Sequence, residues 1–165
     1  MSAGTYAHFI GVGGAGMSGL ARVLHERGIA VTGSDMRQSR YSAALEAVGV
    51  PVSIGHDAAN VGDPQVVVAS TAIPDSNPEL REALHRGIPV WPRARMLAEL
   101  AGDRQTVAVA GTHGKTSTSS MMAAALISAG QDPTFLIGGE LPDMGGNARC
   151  GHGPHYVVEA DESDG

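Results

Sequence analysis

The only lysine of the chain, Lys115, lies in the run AVAGTHGKTSTSS, between an apolar β-branched segment and a stretch of helical character. A strand, a glycine-rich turn and then Gly114-Lys115-Thr116 opening a helix is an arrangement in which backbone N–H groups and the positive end of a helix dipole surround a polyphosphate. The Lys115 ammonium would neutralise the outer phosphates, and the Thr116 hydroxyl would ligate Mg²⁺. The general phosphate-loop pattern G-x-x-x-x-G-K-[ST] wants a glycine where this chain has Val109. The shorter run Gly111, Thr112, His113, Gly114, Lys115, Thr116 and Ser117 therefore carries the expectation of a nucleotide-phosphate site.

A second phosphate signal stands near the N-terminus, where Gly11-Val12-Gly13-Gly14-Ala15-Gly16 matches G-x-G-x-x-G between an apolar strand and a helix. Asp35 falls at the end of the following strand. In a Rossmann unit such glycines permit a tight turn and a close backbone approach to a pyrophosphate, and the acid binds a ribose hydroxyl. Alone, the pattern would suit an NAD-dependent oxidoreductase. What it specifies is narrower, a diphosphate with a ribose attached, so the identity of the nucleotide stays open.

The elements that must hold these turns follow an alternating pattern. AHFIGV reads as a buried strand, and Gly16 to Arg27 has helical periodicity through Met17, Leu20, Ala21 and Leu24 before Gly28 stops it. IAVTGSD reads as a strand, Ser42 to Val48 as a short helix, PVSI as a strand, and QVVVAS as a strand covered on both faces. Asn77-Pro78-Glu79 marks a helix start with Asn as cap, followed by the strand IPVW and a helix over Arg93 to Ala101. Gly102-Asp103 is a plausible boundary, after which TVAVAG starts a new βα unit and HYVVEAD ends a strand in acids. Repeated βα units predict an α/β fold with a mainly parallel, doubly wound sheet. The composition agrees: 42% hydrophobic residues, few aromatics and 23 glycines in 165 residues suit an ordered α/β protein.

The net charge of −6, with scattered basic residues, argues against a nucleic-acid partner. No apolar run approaches the roughly 20 residues of a membrane helix, so no membrane insertion is expected. One cysteine, Cys150, and no leader-like segment point to the cytoplasm. Cys150 has no supporting motif for nucleophilic chemistry.

HFIGVGGAGMSGLA, the GSD of Gly33 to Asp35, STAIP after VVVAS, AGTHGKTS and EADESD follow one another along the chain. In that combination the chain resembles the Mur ligases, over essentially its whole length. The resemblance implies a Rossmann-like domain over residues 1–102 that holds the UDP part of the substrate, and the start of a central P-loop ATPase domain over 103–165. The remainder of that domain and a third domain would lie beyond Gly165. It implies ATP and Mg²⁺ as cofactors and amide formation in peptidoglycan precursor synthesis. The lactyl carboxylate of UDP-N-acetylmuramate would attack ATP to give an acyl phosphate, from which the amine of L-alanine displaces phosphate. His113, where other members usually carry Asn, is similar to the alanine-adding branch and its tripeptide-recycling relative, and the opening HFIGVGGAGMSG favours the former.

Residue roles carried by the resemblance are these. Gly111 to Gly114 cradle phosphate, Lys115 is the catalytic β/γ-phosphate contact, and Thr116 and Glu159 are metal ligands. Gly13, Gly14, Ala15, Gly16, Met17 and Ser18 lie at the UDP diphosphate with Ser70 close by, and Asp35 and His56 lie near the uridine ribose. For His56 a solvated loop imidazole is the competing expectation. Asp161, Glu162 and Asp164 are either supporting groups or a solvated acidic turn. His152 and His155 lack partners at ligand spacing and are not expected to hold a metal. The glycine-rich stretch from Gly138 to Pro154 is long for a connection and is expected to be a mobile, substrate-covering loop. Its ELPDMGG portion lacks the basic residues associated with many relatives. Two rival functions remain: an NAD-dependent oxidoreductase, which leaves the second phosphate turn unexplained, and a noncatalytic UDP-sugar-binding module.

Overall fold

The computed structural model describes residues 5–139, 141 and 144–160. Five βα steps build the first sheet: β1 (Tyr6–Ile10), α1 (Ala15–Glu26), β2 (Ala30–Asp35), α2 (Arg40–Ala47), β3 (Val52–Ile54), a 3₁₀ turn (Ala58–Val61), β4 (Val66–Ala69), α3 (Pro78–His85), β5 (Val90–Pro92) and α4 (Arg93–Ala101). The strands are all parallel in the order β3-β2-β1-β4-β5. This is the doubly wound arrangement, with its switch point between β1 and β4. A second sheet follows from β6 (Gln105–Val109), α5 (Lys115–Ser128), β7 (Thr134–Leu136), β8 (Ala148–Arg149) and β9 (His155–Glu159), in the order β6-β9-β7-β8. Only the β7–β8 pair is antiparallel.

The period-two alternation of β1 decides which face each side chain takes. Ala7 and Phe9 pack with Leu20 and Leu24 of α1, while Ile10 joins Val67 of β4 and Ala83 of α3 on the opposite face. Burial of Val66, Val67 and Val68 on both faces matches the continuous apolar run in sequence. The apolar stripe of α1 serves both sheets, since Leu20 and Leu24 share one cluster with Leu136, Ala148, Tyr156 and Val158 of the second. By contrast β6 forms a sheet edge with half-exposed or exposed side chains, and Met121 of α5 is 65% exposed.

Helix starts explain small shifts from the sequence reading. α2 begins at Arg40 rather than Ser42 because Ser39 caps it, accepting from the Ser42 amide while the Ser42 hydroxyl accepts from the Ser39 amide. Asn77 caps α3 as expected, its side-chain oxygen accepting from the amides of Glu79 and Leu80.

The stretch from Gly138 to Pro154 differs more. Instead of a free covering loop, its described part is pinned along α1 and closes with β8. Asn147 Nδ2 donates to the Ala15 carbonyl at 2.9 Å, Arg22 Nη1 donates to the Gly145 carbonyl at 2.9 Å, and the Cys150 amide donates to Glu26 Oε2 at 2.8 Å. Two-residue strands carry too little periodicity to be seen in sequence. Among the described residues no helix is long and apolar enough to cross a membrane.

Candidate functional site

At the carboxyl ends of β1 to β4, four sequence-predicted features converge. The Gly11 and Val12 amides both donate to the Ser34 carbonyl, at 2.9 and 3.0 Å, which folds the first glycine turn back over β2. Asp35 Oδ2 accepts from the Gly13 amide at 2.8 Å, and the Ser39 hydroxyl donates to the Gly13 carbonyl at 2.8 Å. The turn is therefore braced from β2 and α2. A Cβ on Gly13 would lie 2.7 Å from Asp35 Oδ2, and one on Gly16 would lie 2.0 Å from Arg93 Nη1, whereas one on Gly14 meets nothing within 4 Å. So Asp35 and Ser39 press against Gly13, the movable end of Arg93 lies against Gly16, and Gly14 faces open space. Ser70 stands beside the turn, 3.2 Å from where a Gly11 Cβ would be.

Helix α1 starts at Gly14 without any side-chain cap, leaving its first-turn amides available to an anion. Within that turn Met17 and Ser18 are buried, and the Ser18 hydroxyl donates to the Ala15 carbonyl at 3.0 Å. Their side chains thus serve the core; the Ser18 amide donates to the Gly14 carbonyl at 2.9 Å, which leaves the Met17 amide to face an anion.

His56 follows Gly55, whose amide donates to the Asp35 carbonyl at 2.8 Å, so it lies at the same strand ends. It is not a solvated imidazole: its side chain is 8% exposed. Its Nδ1 lies 3.1 Å from the Ser34 hydroxyl and 3.4 Å from Glu79 Oε1. Glu79, fully buried at the start of α3, went unnoticed in sequence beyond its place in the cap. Its Oε2 meets the Ser34 hydroxyl and, at 3.2 Å, His8 Nε2. Its Oε1 accepts from Asn60 Nδ2 at 2.7 Å and from the Asp57 amide at 3.2 Å. Burial alone would push this carboxyl up. The hydrogen bonds from His8, Ser34 and Asn60, with the electrostatic pull of the His8 ring, outweigh it and hold the pKa at about 2.

The second glycine turn leaves β6 and enters α5. Gly114 adopts a left-handed conformation, φ 76°, as N-cap, and it offers no side-chain cap. Gly111, Thr112, His113 and Gly114 are exposed. Lys115 folds back across the turn, Nζ donating to the Gly111 carbonyl at 2.8 Å, and His113 Nδ1 lies 3.2 Å from the Thr112 hydroxyl. The pairing of Val109 with Glu159 in the β6–β9 register brings Glu159 to this turn. There the Thr116 hydroxyl donates to Glu159 Oε2 at 3.4 Å, and the Ser119 hydroxyl donates to Oε1 at 2.7 Å. Ser117 lies exposed in the first turn of α5.

Arg93, at the start of α4, reaches the first turn, where its Nη1 lies 2.0 Å from the place of a Gly16 Cβ. A cavity of about 180 Å³ beside it is lined by Gly11, Gly14, Gly16 and Ser70. A second, of about 230 Å³, is lined by Gly16, Gly138, Asn147 and Glu159. Arg93 and Gly16 line both cavities.

Comparison with known proteins gives the family. Residues 6–105 match the model of the Mur ligase family, catalytic domain. The chain belongs to the Mur ligase family. Over 157 residues this Mur ligase chain is 58% identical to a UDP-N-acetylmuramate–L-alanine ligase of Rubrobacter xylanophilus, covering 95% of the chain and 35% of that protein. Its fold superposes on the UDP-N-acetylmuramate-alanine ligase of Thermotoga maritima with TM-score 0.86 at 33% identity, over 93% of the chain and 37% of that structure. A murein peptide ligase of Psychrobacter arcticus superposes with TM-score 0.90 at 32% identity, over 98% and 38%. The Mur ligase chain thus spans about a third of the length of these relatives.

A divalent cation fits the donor set at Glu159. Thr116 and Glu159 offer hard oxygen donors, and a Cβ on Gly138 would lie 2.8 Å from Glu159 Oε2, so the glycine keeps the approach open. Among the described residues no three His, Cys, Asp or Glu side chains converge on a metal position. A cation here would complete its shell with water or phosphate oxygens, as Mg²⁺ does. Asp161, Glu162 and Asp164 lie outside the described residues. Sequence reasoning missed Arg93, Ser119 and Glu79; the Asn-Pro-Glu helix start was visible, but nothing local told that its Glu turns inward.

Proposed function

We propose that this chain is the substrate-nucleotide and phosphate-loop part of an enzyme that joins L-alanine to UDP-N-acetylmuramate at the expense of ATP, in the cytoplasm. Residues 1–102 form the UDP-substrate domain and 103–165 the beginning of the ATP domain. The observation that carries this reading is the pair of uncapped, glycine-started helices on one chain, the second opening with Lys115 beside Glu159. An NAD oxidoreductase would leave the second turn without a role.

In this reading the turn from Gly13 to Ser18 holds the UDP diphosphate through the amides of Gly14 to Met17, with Ser70 at its side and Asp35 and His56 toward the ribose. Gly111 to Ser117 cradle the ATP phosphates. Lys115 leaves the Gly111 carbonyl to neutralise charge on the transferring phosphoryl group, the kind of positioning and electrostatic work that dominates phosphoryl transfer. Thr116 and Glu159 would hold Mg²⁺, which shields the phosphate oxygens. The substrate carboxylate attacks the γ-phosphorus, ADP leaves, and the alanine amine then displaces phosphate from the acyl phosphate. Arg93, between the two cavities, would steady the anionic substrate along its path. The alanine-adding reaction is preferred over the murein peptide ligase reaction because relatives 52–58% identical carry the former name, whereas the peptide ligase structures are 32–36% identical.

The test is ADP release by a full-length protein carrying this sequence, with each amino acid offered in turn. Release that needs both UDP-N-acetylmuramate and L-alanine supports the reading. Release driven by a peptide but not by alanine would replace it with peptide recycling.

A further inference from the structure

Protons in the buried cluster beneath the first turn can be assigned one by one. A carboxylate accepts and never donates, so both Glu79 oxygens must receive protons from their neighbours. The Ser34 hydroxyl has one proton, and it goes to Glu79 Oε2. His8 donates from Nε2 to the same oxygen, which leaves its Nδ1 to accept from Thr32, whose hydroxyl oxygen in turn accepts from Tyr6. Around His56 Nδ1, the two neighbours are then the Ser34 oxygen, with its proton already committed, and Glu79 Oε1. Both can only accept, so Nδ1 carries the hydrogen. A neutral imidazole has one N–H, and Nε2 is left as a bare acceptor on the far side of the ring.

We propose that Glu79 is a positioning residue that fixes His56 as the Nδ1–H tautomer, so that Nε2 accepts a hydrogen bond from a donor of the substrate nucleoside. A uridine offers such donors as its ribose hydroxyls and its uracil N–H; the opposite tautomer would instead call for an acceptor, a carbonyl or a hydroxyl oxygen. The inference rests on the reading of this pocket as a UDP site. Glu79 acts through His56 and touches no ligand. The same carboxylate holds Ser34, whose carbonyl anchors the Gly11 and Val12 amides, so the nucleoside wall and the diphosphate turn share one support.

The experiment is nitrogen-detected NMR of histidine-labelled chain at about pH 8, where an ordinary imidazole is neutral, with UDP as the probe and its binding followed in parallel by calorimetry. The expected result is His56 protonated at Nδ1, with an Nε2 resonance that moves on saturation with UDP. In Glu79→Met, Ser34 is released to donate to His56, so the proton should move to Nε2 and the UDP Kd should rise roughly tenfold, the cost of one hydrogen bond to a mismatched partner. Should that variant fail to fold, the wild-type spectra decide alone. His56 protonated at Nε2 in the wild type, an Nε2 resonance indifferent to bound UDP, or a folded Glu79→Met with unchanged tautomer and affinity would each overturn the inference while leaving the UDP site standing. No UDP binding by the wild type would overturn the site reading and this inference together.

Discussion

The two glycine turns share a plan and differ in how they are held. The first is gripped by β2 and α2 through Ser34, Asp35 and Ser39, and stands over a buried carboxylate with five donors. The second is exposed, and its lysine is turned inward onto a loop carbonyl. On the proposed function, the first would be a mould whose shape exists before a ligand arrives, and the second would take its working shape when phosphate replaces the Gly111 carbonyl as the partner of Lys115. A preformed site spends less binding energy on ordering, which suits a substrate domain, while a turn that rearranges suits the site where charge moves.

The largest effect that could break this comparison is at Lys115. In a full-length protein, Lys115→Ala should cut ADP release by roughly 10²- to 10³-fold, the loss typical of one preorganised electrostatic contact, with UDP-substrate affinity unchanged by calorimetry. Glu159→Gln should lower turnover less and be partly rescued by added Mg²⁺. An equal loss of UDP-substrate binding in either variant would show that the two turns are not separate sites.

Acid should act on the first turn. Glu79 is held at about 2 in the fold against an ordinary 4.5. Because its folded pKa is depressed, the stability it supplies is complete above about pH 4.5 and is lost as pH falls toward 2, on the order of 3 kcal/mol in all. Urea unfolding across that range should show the slope in the wild type and a flatter one in Glu79→Gln.

Gly13→Ala puts a methyl against Asp35 Oδ2 and should weaken UDP binding roughly tenfold while lowering Tm, since the brace itself must shift. Gly14→Val, at a position with nothing within 4 Å, should keep the Tm and lose UDP-substrate affinity, because its side chain enters the space proposed for the diphosphate. Equal behaviour of the two variants would erase the distinction between pressed and open glycines. The smallest effect is Ser39→Ala, which removes a helix cap and the bond to the Gly13 carbonyl and should cost about 1 kcal/mol in chemical denaturation.

Much of this was legible in sequence because the signals were local. The apolar runs of β1 and β4, the Asn77 cap and both glycine turns declare themselves within a few residues. Ser34, His8 and Glu79 do not, since a buried polar cluster exists only after β1, β2 and α3 have been laid side by side. Glu159 was placed by the resemblance, and the β6–β9 register is the physical reason it reaches Thr116. The pinned course of residues 144–150 along α1 was missed because each of its anchors, Arg22, Glu26 and Ala15, is distant in sequence.

The central claim is that the first turn is a UDP-substrate site independent of the second. Its most direct test is calorimetric titration of the chain with UDP-N-acetylmuramate and, separately, with NAD, in wild type and Lys115→Ala. The account predicts one-to-one binding of the UDP substrate with the same affinity in both proteins, and no heat from NAD up to about millimolar concentration. Binding of NAD with no binding of the UDP substrate would contradict it.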